Sequence, residues 1–276
     1  MTRAILLGLA LLSLPGRLPA QGVLVAPHDV IIDHRIRSGS VILYNPGNQP
    51  AEVSIDVFFG YPVSDSSGFF MLRTVEQPDS TLPSAAGWIQ AFPRRMILGP
   101  RERQTVRLLG RPPANLRDGE YWARLAITAR GGTLPVTGAP DTGSVQVGLS
   151  LEVRTLIPIQ YRKGELTTGV ETSDWRATRV GDSLEVRGKL VRTGTAAYLG
   201  VVRGALADST GRTVASFSSP TAVYLNMEPR YTVPVAGLPA GRYVLRVELA
   251  TDRDDLAPEL VLRAPPVRDS LEVRLP

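Results

Sequence analysis

The stretch SVQVGLSLEVRTLIPIQYRKG, Ser144 to Gly164, constrains this chain more than any other. Val145, Val147, Leu149, Leu151, Val153, Ile157, Ile159 and Tyr161 recur at every second position, with only Thr155 breaking the series. A period of two puts all of them on one face of an extended strand. At about 3.3 Å per residue the segment from 145 to 161 would reach roughly 55 Å, whereas an ordinary strand measures about 17–20 Å. An apolar alternation that outruns its own domain either completes a long core or leaves a hydrophobic edge, and proteins normally blunt such edges with charge, proline or bulges unless the edge is used.

The rest of the chain has the same texture on a smaller scale. Strand-length runs occur at Val23–Ile32, Ser40–Tyr44, Ala51–Phe59, Phe69–Arg73, Gln104–Leu109 and Glu120–Ala129. After Gly164 they resume at Leu184–Val191, Tyr198–Ala207, Thr213–Phe217, Tyr231–Val235, Tyr243–Leu249 and Ser270–Leu275. Turn residues separate them, as in NPGNQP (45–50), SDSSG (64–68), LGPRE (98–102) and NLRDG (115–119). Helical periodicity of useful length is confined to the N-terminus. The expectation is an all-β chain built from sandwiches.

The N-terminal segment reads as a signal peptide. Arg3 supplies a positive start, AILLGLALLSL (4–14) an apolar run, and PGRLPAQ a break before a cut after Ala20. That run is shorter than the roughly 20 apolar residues a membrane anchor needs, and no later segment reaches that length, so the expectation is an exported protein with no membrane span, placed in the periplasm. The chain contains no cysteine, which removes disulfides, thiolate metal sites and cysteine nucleophiles. The formal charge of +5 is spread among acidic residues without basic runs or interleaved aromatics, so nucleic-acid binding has no support.

Two halves follow one plan. LRDGEY (116–121) and LPAGRY (238–243) share Leu-x-x-Gly-x-Tyr ahead of an alternating strand, and SDSSG is echoed by ADSTG (207–211). A tyrosine opening a late strand just after a glycine turn is where immunoglobulin-like domains place a tyrosine corner, which makes Tyr121 and Tyr243 the candidates. The expected division is a signal peptide at 1–20, a first immunoglobulin-like sandwich at 21–162 and a second at 163–276.

The segment FPRRMILGPRERQTVRLLGRPPANLRDGEYWARLAI (92–127) resembles the middle of the PapD-like periplasmic pilus-assembly chaperones, in particular a divergent branch with a Pro-rich stretch containing Asp-Gly-Glu-Tyr. VAPHDVII (25–32), SVILYNPGNQPAEVSIDV (40–57) and IPIQYRKG (157–164) extend the likeness over residues 23–164 in the expected order. No signature in the second half adds to it. The resemblance implies that the long strand lends alternate apolar side chains, here Val147, Leu149, Leu151 and Val153, to an incomplete pilin-like subunit, with an outer-membrane usher as a further partner. Main-chain bonding along the open edge and side chains filling the client's core are the physics of β-augmentation. On the residues alone, the same valines and leucines are better read as what a sandwich's own core takes from its last strand; the length of the alternation is what favours a used edge.

The resemblance also implies basic residues holding the client's C-terminal carboxylate near the cleft between domains, and the corresponding positions here are Asp29 and Pro158. Arg154, Arg162 and Lys163 are the substitutes that the sequence offers. Pro158, which lacks an N–H, is expected to interrupt pairing near the hinge. Among rivals, an enzyme finds little: His28 and His34 in HDVIIDH, flanked by Asp29 and Asp33, would lie about 20 Å apart on an extended strand, too far to share a metal. No cofactor or metal site is expected. The alternative is an exported structural or adhesion protein built from tandem immunoglobulin-like domains.

Overall fold

The computed structural model describes residues 22–131 and 151–276. The expected signal peptide, together with Val147 and Leu149, lies outside the described residues. The first ten strands are β1 (Leu24–Ala26), β2 (Val30–Asp33), β3 (Ser38–Tyr44), β4 (Ala51–Ser64), β5 (Phe70–Val75), β6 (Ile89–Phe92), β7 (Arg95–Leu98), β8 (Arg103–Gly110), β9 (Gly119–Arg130) and β10 (Glu152–Lys163). They form two sheets, ordered β1-β3-β8-β6 and β2-β10-β9-β4-β5, with β7 also pairing β4. The residues after Lys163 supply β11 (Thr168–Val180), β12 (Ser183–Gly194), β13 (Tyr198–Ala207), β14 (Thr213–Val223), β15 (Asn226–Met227), β16 (Arg230–Pro234), β17 (Gly241–Ala250) and β18 (Val267–Leu275). Here β12 is flanked by β11 and by β15 and β16, and the facing sheet runs β14-β13-β17-β18. The chain is thus two immunoglobulin-like β-sandwiches in tandem; its described helix is one 3₁₀ turn at Pro258–Leu260.

Alternation fills each sandwich. Ile157, Ile159 and Tyr161 of β10 join Ile32, Val41, Leu43, Val106, Leu108 and Leu125 in the first core. Leu184, Val186 and Leu190 of β12 meet Val202, Leu206, Leu245 and Val247 across the second. Burying an aliphatic side chain of this size contributes about 1.5–3 kcal/mol relative to exposure, and without disulfides these cores carry the fold. A third apolar cluster joins the two sandwiches: Phe59 and Tyr61 from the far half of β4 and Trp122 from β9 pack with Ala197, Leu199 and Tyr224.

Several expectations are corrected by the strand register. The run Val23–Ile32 is two strands in different sheets, β1 antiparallel to β3 and β2 parallel to β10, because Pro27 lies where the chain crosses from one sheet to the other. Pro158 does not interrupt the ladder to β9: register is continuous from Glu152↔Arg130 to Lys163↔Gly119 and includes Pro158↔Arg124. On its other side, among the described residues, β10 gains a partner only from Ile159 onward, so a missing N–H is tolerated at Pro158 where no strand is seen beside it. Strand β11 escapes the alternation test because a register shift between Ser173 and Arg176, with Asp174 at φ 56°, breaks its period in the middle.

The repeated Leu-x-x-Gly-x-Tyr segments have matching geometry. Tyr121 Oη donates to the Arg117 carbonyl at 3.0 Å, and Tyr243 Oη donates to the Pro239 carbonyl at 2.7 Å. The Tyr243 bond is partly buried while that of Tyr121 faces solvent. Tyr243→Phe is therefore expected to lower unfolding free energy by about 0.5–1.5 kcal/mol and Tyr121→Phe by less, since water replaces the exposed bond more cheaply. Urea denaturation of the two variants checks both the loss and its order.

Candidate functional site

Among the described residues, strand β10 has one paired edge and one that is largely open. It runs antiparallel to β9 along its whole described length, but β2 covers only Ile159–Arg162, opposite Val30–Asp33. Because the crossing at Pro27 sends β1 to the other sheet, the outer edge from Glu152 to Pro158 has no strand beside it among the described residues. The same stretch is where the apolar phase leaves its own core. Ile157, Ile159 and Tyr161 are buried, Val153 is half-buried, and Leu151 is 43% exposed. A bare main-chain edge and unspent apolar side chains coincide there.

The opposite face of β10 borders a cleft of about 520 Å³ between the sandwiches. Leu156, Pro158 and Gln160 line it with Phe70, Met71 and Leu72 of β5 on one side, while Leu199, Ala222, Tyr224 and Leu256 close the other. Phe70 and Met71 are about half exposed, so that side of the cleft presents apolar surface to solvent. Asp29 and Pro158, the positions where basic residues were expected, both line this cleft, and two arginines accompany them: Arg124 and Arg253. Arg124 is the cross-strand partner of Pro158. Its Nε donates to the Gly60 carbonyl at 3.0 Å, and its guanidinium lies 5.2 Å from the centre of the Tyr224 ring. Arg253 makes a two-bond fork to Asp255, both at 2.6 Å. Burial raises the Asp29 carboxyl above its ordinary range, with Arg124 the strongest of the charges opposing that rise.

The three cations picked from sequence sit elsewhere. Arg154 places its guanidinium 5.5 Å from the Phe58 ring at the exposed side of β10. Arg162 pairs with Glu120 at 2.9 Å and donates to the carbonyls of Glu259 and Leu260 at 2.6 and 2.8 Å. Lys163 lies 3.4 Å from Asp118 and bonds the Leu116 carbonyl. Arg162 and Lys163 are thus engaged by their own chain. The sequence signal for Arg124 was a lone cation in the apolar strand YWARLAI; its place opposite the proline comes from the register. His34 is likewise engaged, its Nδ1 lying 2.6 Å from Tyr161 Oη.

No family model matches the chain, and no curated protein matches it. Solved structures similar to it include the YadV chaperone (15% identity, TM-score 0.43, covering 91% of this chain and 99% of the other). The periplasmic chaperone SfaE aligns at 13% identity and TM-score 0.44, covering 90% and 98%. A third is the CsuC–CsuE chaperone–tip adhesion subunit pre-assembly complex of Acinetobacter baumannii, at 16% identity and TM-score 0.43, covering 82% and 93%.

The Asp29 environment has a pH consequence. A carboxyl whose folded pKa is raised makes folding less favourable once the unfolded chain ionises, and the penalty is complete above the folded pKa. Asp29→Asn is expected to stabilise the protein at neutral pH. The gain should shrink as pH falls through the folded pKa of Asp29 and vanish below the ordinary Asp value. Denaturant unfolding of the variant and the parent at about pH 7 and about pH 3 measures that difference.

Proposed function

We propose that the protein is a periplasmic, non-enzymatic chaperone-like protein that captures an exported pilin-like subunit by offering the outer edge of β10. The observation that carries this reading is the coincidence, at Leu151 and Val153, of an edge that has no strand beside it among the described residues with the end of the strand's own core. The donor segment would continue through Val147 and Leu149. A client strand added there would satisfy its backbone against β10 while the apolar side chains fill a gap in the client's core. In this reading the signal peptide is 1–20, the donor strand closes a first domain at 21–162, and 163–276 forms the wall of the cleft. The client's C-terminal carboxylate would meet Arg124 and Arg253 in place of cations at Asp29 and Pro158, since each guanidinium, including the Arg253 fork on Asp255, has further N–H groups that can donate to a carboxylate. An outer-membrane usher would be the receiving partner.

The test is capture from the exported fraction. Each apolar side chain buried in a client should contribute about 1.5–3 kcal/mol before ordering costs, so Leu151→Asp or Val153→Asp is expected to weaken co-purification of the subunit about tenfold or more. Glu152→Gln, whose side chain points to the other face, should leave it unchanged. If the Asp variants stay folded and still retain the client, the edge is not the binding element. If they unfold the free protein, these side chains are ordinary core and the structural-scaffold alternative holds.

A further inference from the structure

A second groove, on the seam between the β4–β5 hairpin and the second sandwich, is lined by an excess of positive charge. Arg176 and Arg187 line it, and they belong to a row of three arginines in register across neighbouring strands, Arg176↔Arg187 between β11 and β12 and Arg187↔Arg230 between β12 and β16, of which Arg230 stands outside the groove's lining. Like charges in register destabilise a sheet, so such a row persists only where anions offset it. Two do so here: Glu228 binds Arg176 and lies 3.3 Å from Arg187, and Glu185 pairs with Arg230 at 2.9 Å. The offset is incomplete. Lys189, next along the outer face of β12, and Arg73 on β5 line the same groove of about 590 Å³, and neither has an ion-pair partner among the described residues. The remaining carboxylate, Asp65, spends one oxygen on the backbone N–H groups of Ser67 and Phe69, and Arg187 Nε is buried without any acceptor.

We infer that this groove binds an acidic stretch of polypeptide, with Lys189 and Arg73 as its recognition cations. Glu228 already demonstrates the chemistry, because a carboxylate is what these arginines hold within the chain itself. The groove also contains Val63 and Met227, which give the methylenes of glutamate side chains a surface, and Ser66 and Asn226, which can bond a peptide backbone. A compact inorganic anion could bond Ser66 and Asn226 but would leave the apolar surface of Val63 and Met227 unused. The inference does not depend on donation of the β10 edge.

Calorimetric titration of the whole folded protein with a short oligoglutamate peptide at low salt tests it. Binding is expected, weakening as salt is raised, and falling about tenfold or more on Lys189→Glu or Arg73→Glu. Both positions are exposed, and thermal melts of the variants check that they remain folded. Arg246→Glu, on the exposed face of β17 in the other sheet, should bind as the parent does, and so should Leu151→Asp. No binding, or binding indifferent to both reversals, overturns the inference. So does displacement of the peptide by inorganic pyrophosphate at equal or lower concentration, which would assign the groove to phosphate.

Discussion

The arrangement of the two sandwiches depends on one buried carboxylate. Glu120 is 2% exposed, and a charge taken so far from water is tolerated only when its lone pairs are met. They are: Trp122 Nε1 and the Ala197 N–H donate to one oxygen at 2.8 and 3.1 Å, and Arg162 Nε donates to the other at 2.9 Å. Ala197 belongs to the second sandwich and Trp122 to the first, so the carboxylate is shared between them. Arg162 then crosses the same junction to the carbonyls of the 3₁₀ turn at Glu259 and Leu260. Around this polar centre lie Phe59, Trp122, Leu199 and Tyr224, which exclude the water that would otherwise screen it. The pairing specifies a relative orientation that apolar contacts alone, being non-directional, would leave loose.

That orientation is what creates the cleft, and β10 is the element that ties the two together. In twelve residues it supplies Tyr161 to the first core, Arg162 to the junction, Pro158 and Gln160 to the cleft floor, and an open edge toward Glu152. These roles are compatible because period-two geometry separates them onto opposite faces, and because β2 reaches only four residues along it. The open edge is not left wholly apolar. Glu152 forms a 2.6 Å ion pair with Arg130, and Arg154 covers Phe58, so charge borders the stretch in the manner of edges that avoid indiscriminate pairing.

Much of this was legible from residues alone, and what was missed has physical reasons. The alternation of Ile157, Ile159 and Tyr161 reports burial directly, and the recurrence of Leu-x-x-Gly-x-Tyr reports a repeated local geometry. Registers are different in kind. That Pro27 splits one apolar run between two sheets, leaving β10 from Glu152 to Pro158 with no strand beside it among the described residues, depends on where strands β3 and β10 pass, and no local pattern states it. The cleft cations show the same limit. Arg162 and Lys163 stand at the right place along the chain, yet Glu120 and Asp118 claim them, while Arg124 enters the cleft from the neighbouring strand through the pairing Pro158↔Arg124.

The echoed turns show how one local motif acquires different roles. In SDSSG and ADSTG the aspartate oxygen accepts two backbone N–H groups, from Ser67 and Phe69 in one and from Thr210 and Arg212 in the other. Each ends on a glycine in the left-handed region, Gly68 at φ 83° and Gly211 at φ 85°, so sequence dictates the same hairpin twice. Their surroundings differ. A Cβ at Gly211 would meet nothing within 4 Å, whereas at Gly68 it would come within 2.7 Å of Arg230. There the Arg230 N–H donates to the Gly68 carbonyl at 2.9 Å, its guanidinium lies 4.2 Å from the Phe69 ring centre, and the Glu228 N–H donates to Ser64 Oγ at 2.6 Å. The first hairpin is therefore a clasp that holds the second sandwich away from the buried carboxylate, at the end of β4, and Gly68 is required twice over, by its dihedral angle and by the approach of Arg230. A junction fastened at two separate points resists rotation about either one, which is the condition for a cleft of constant shape between two domains that share a short connection.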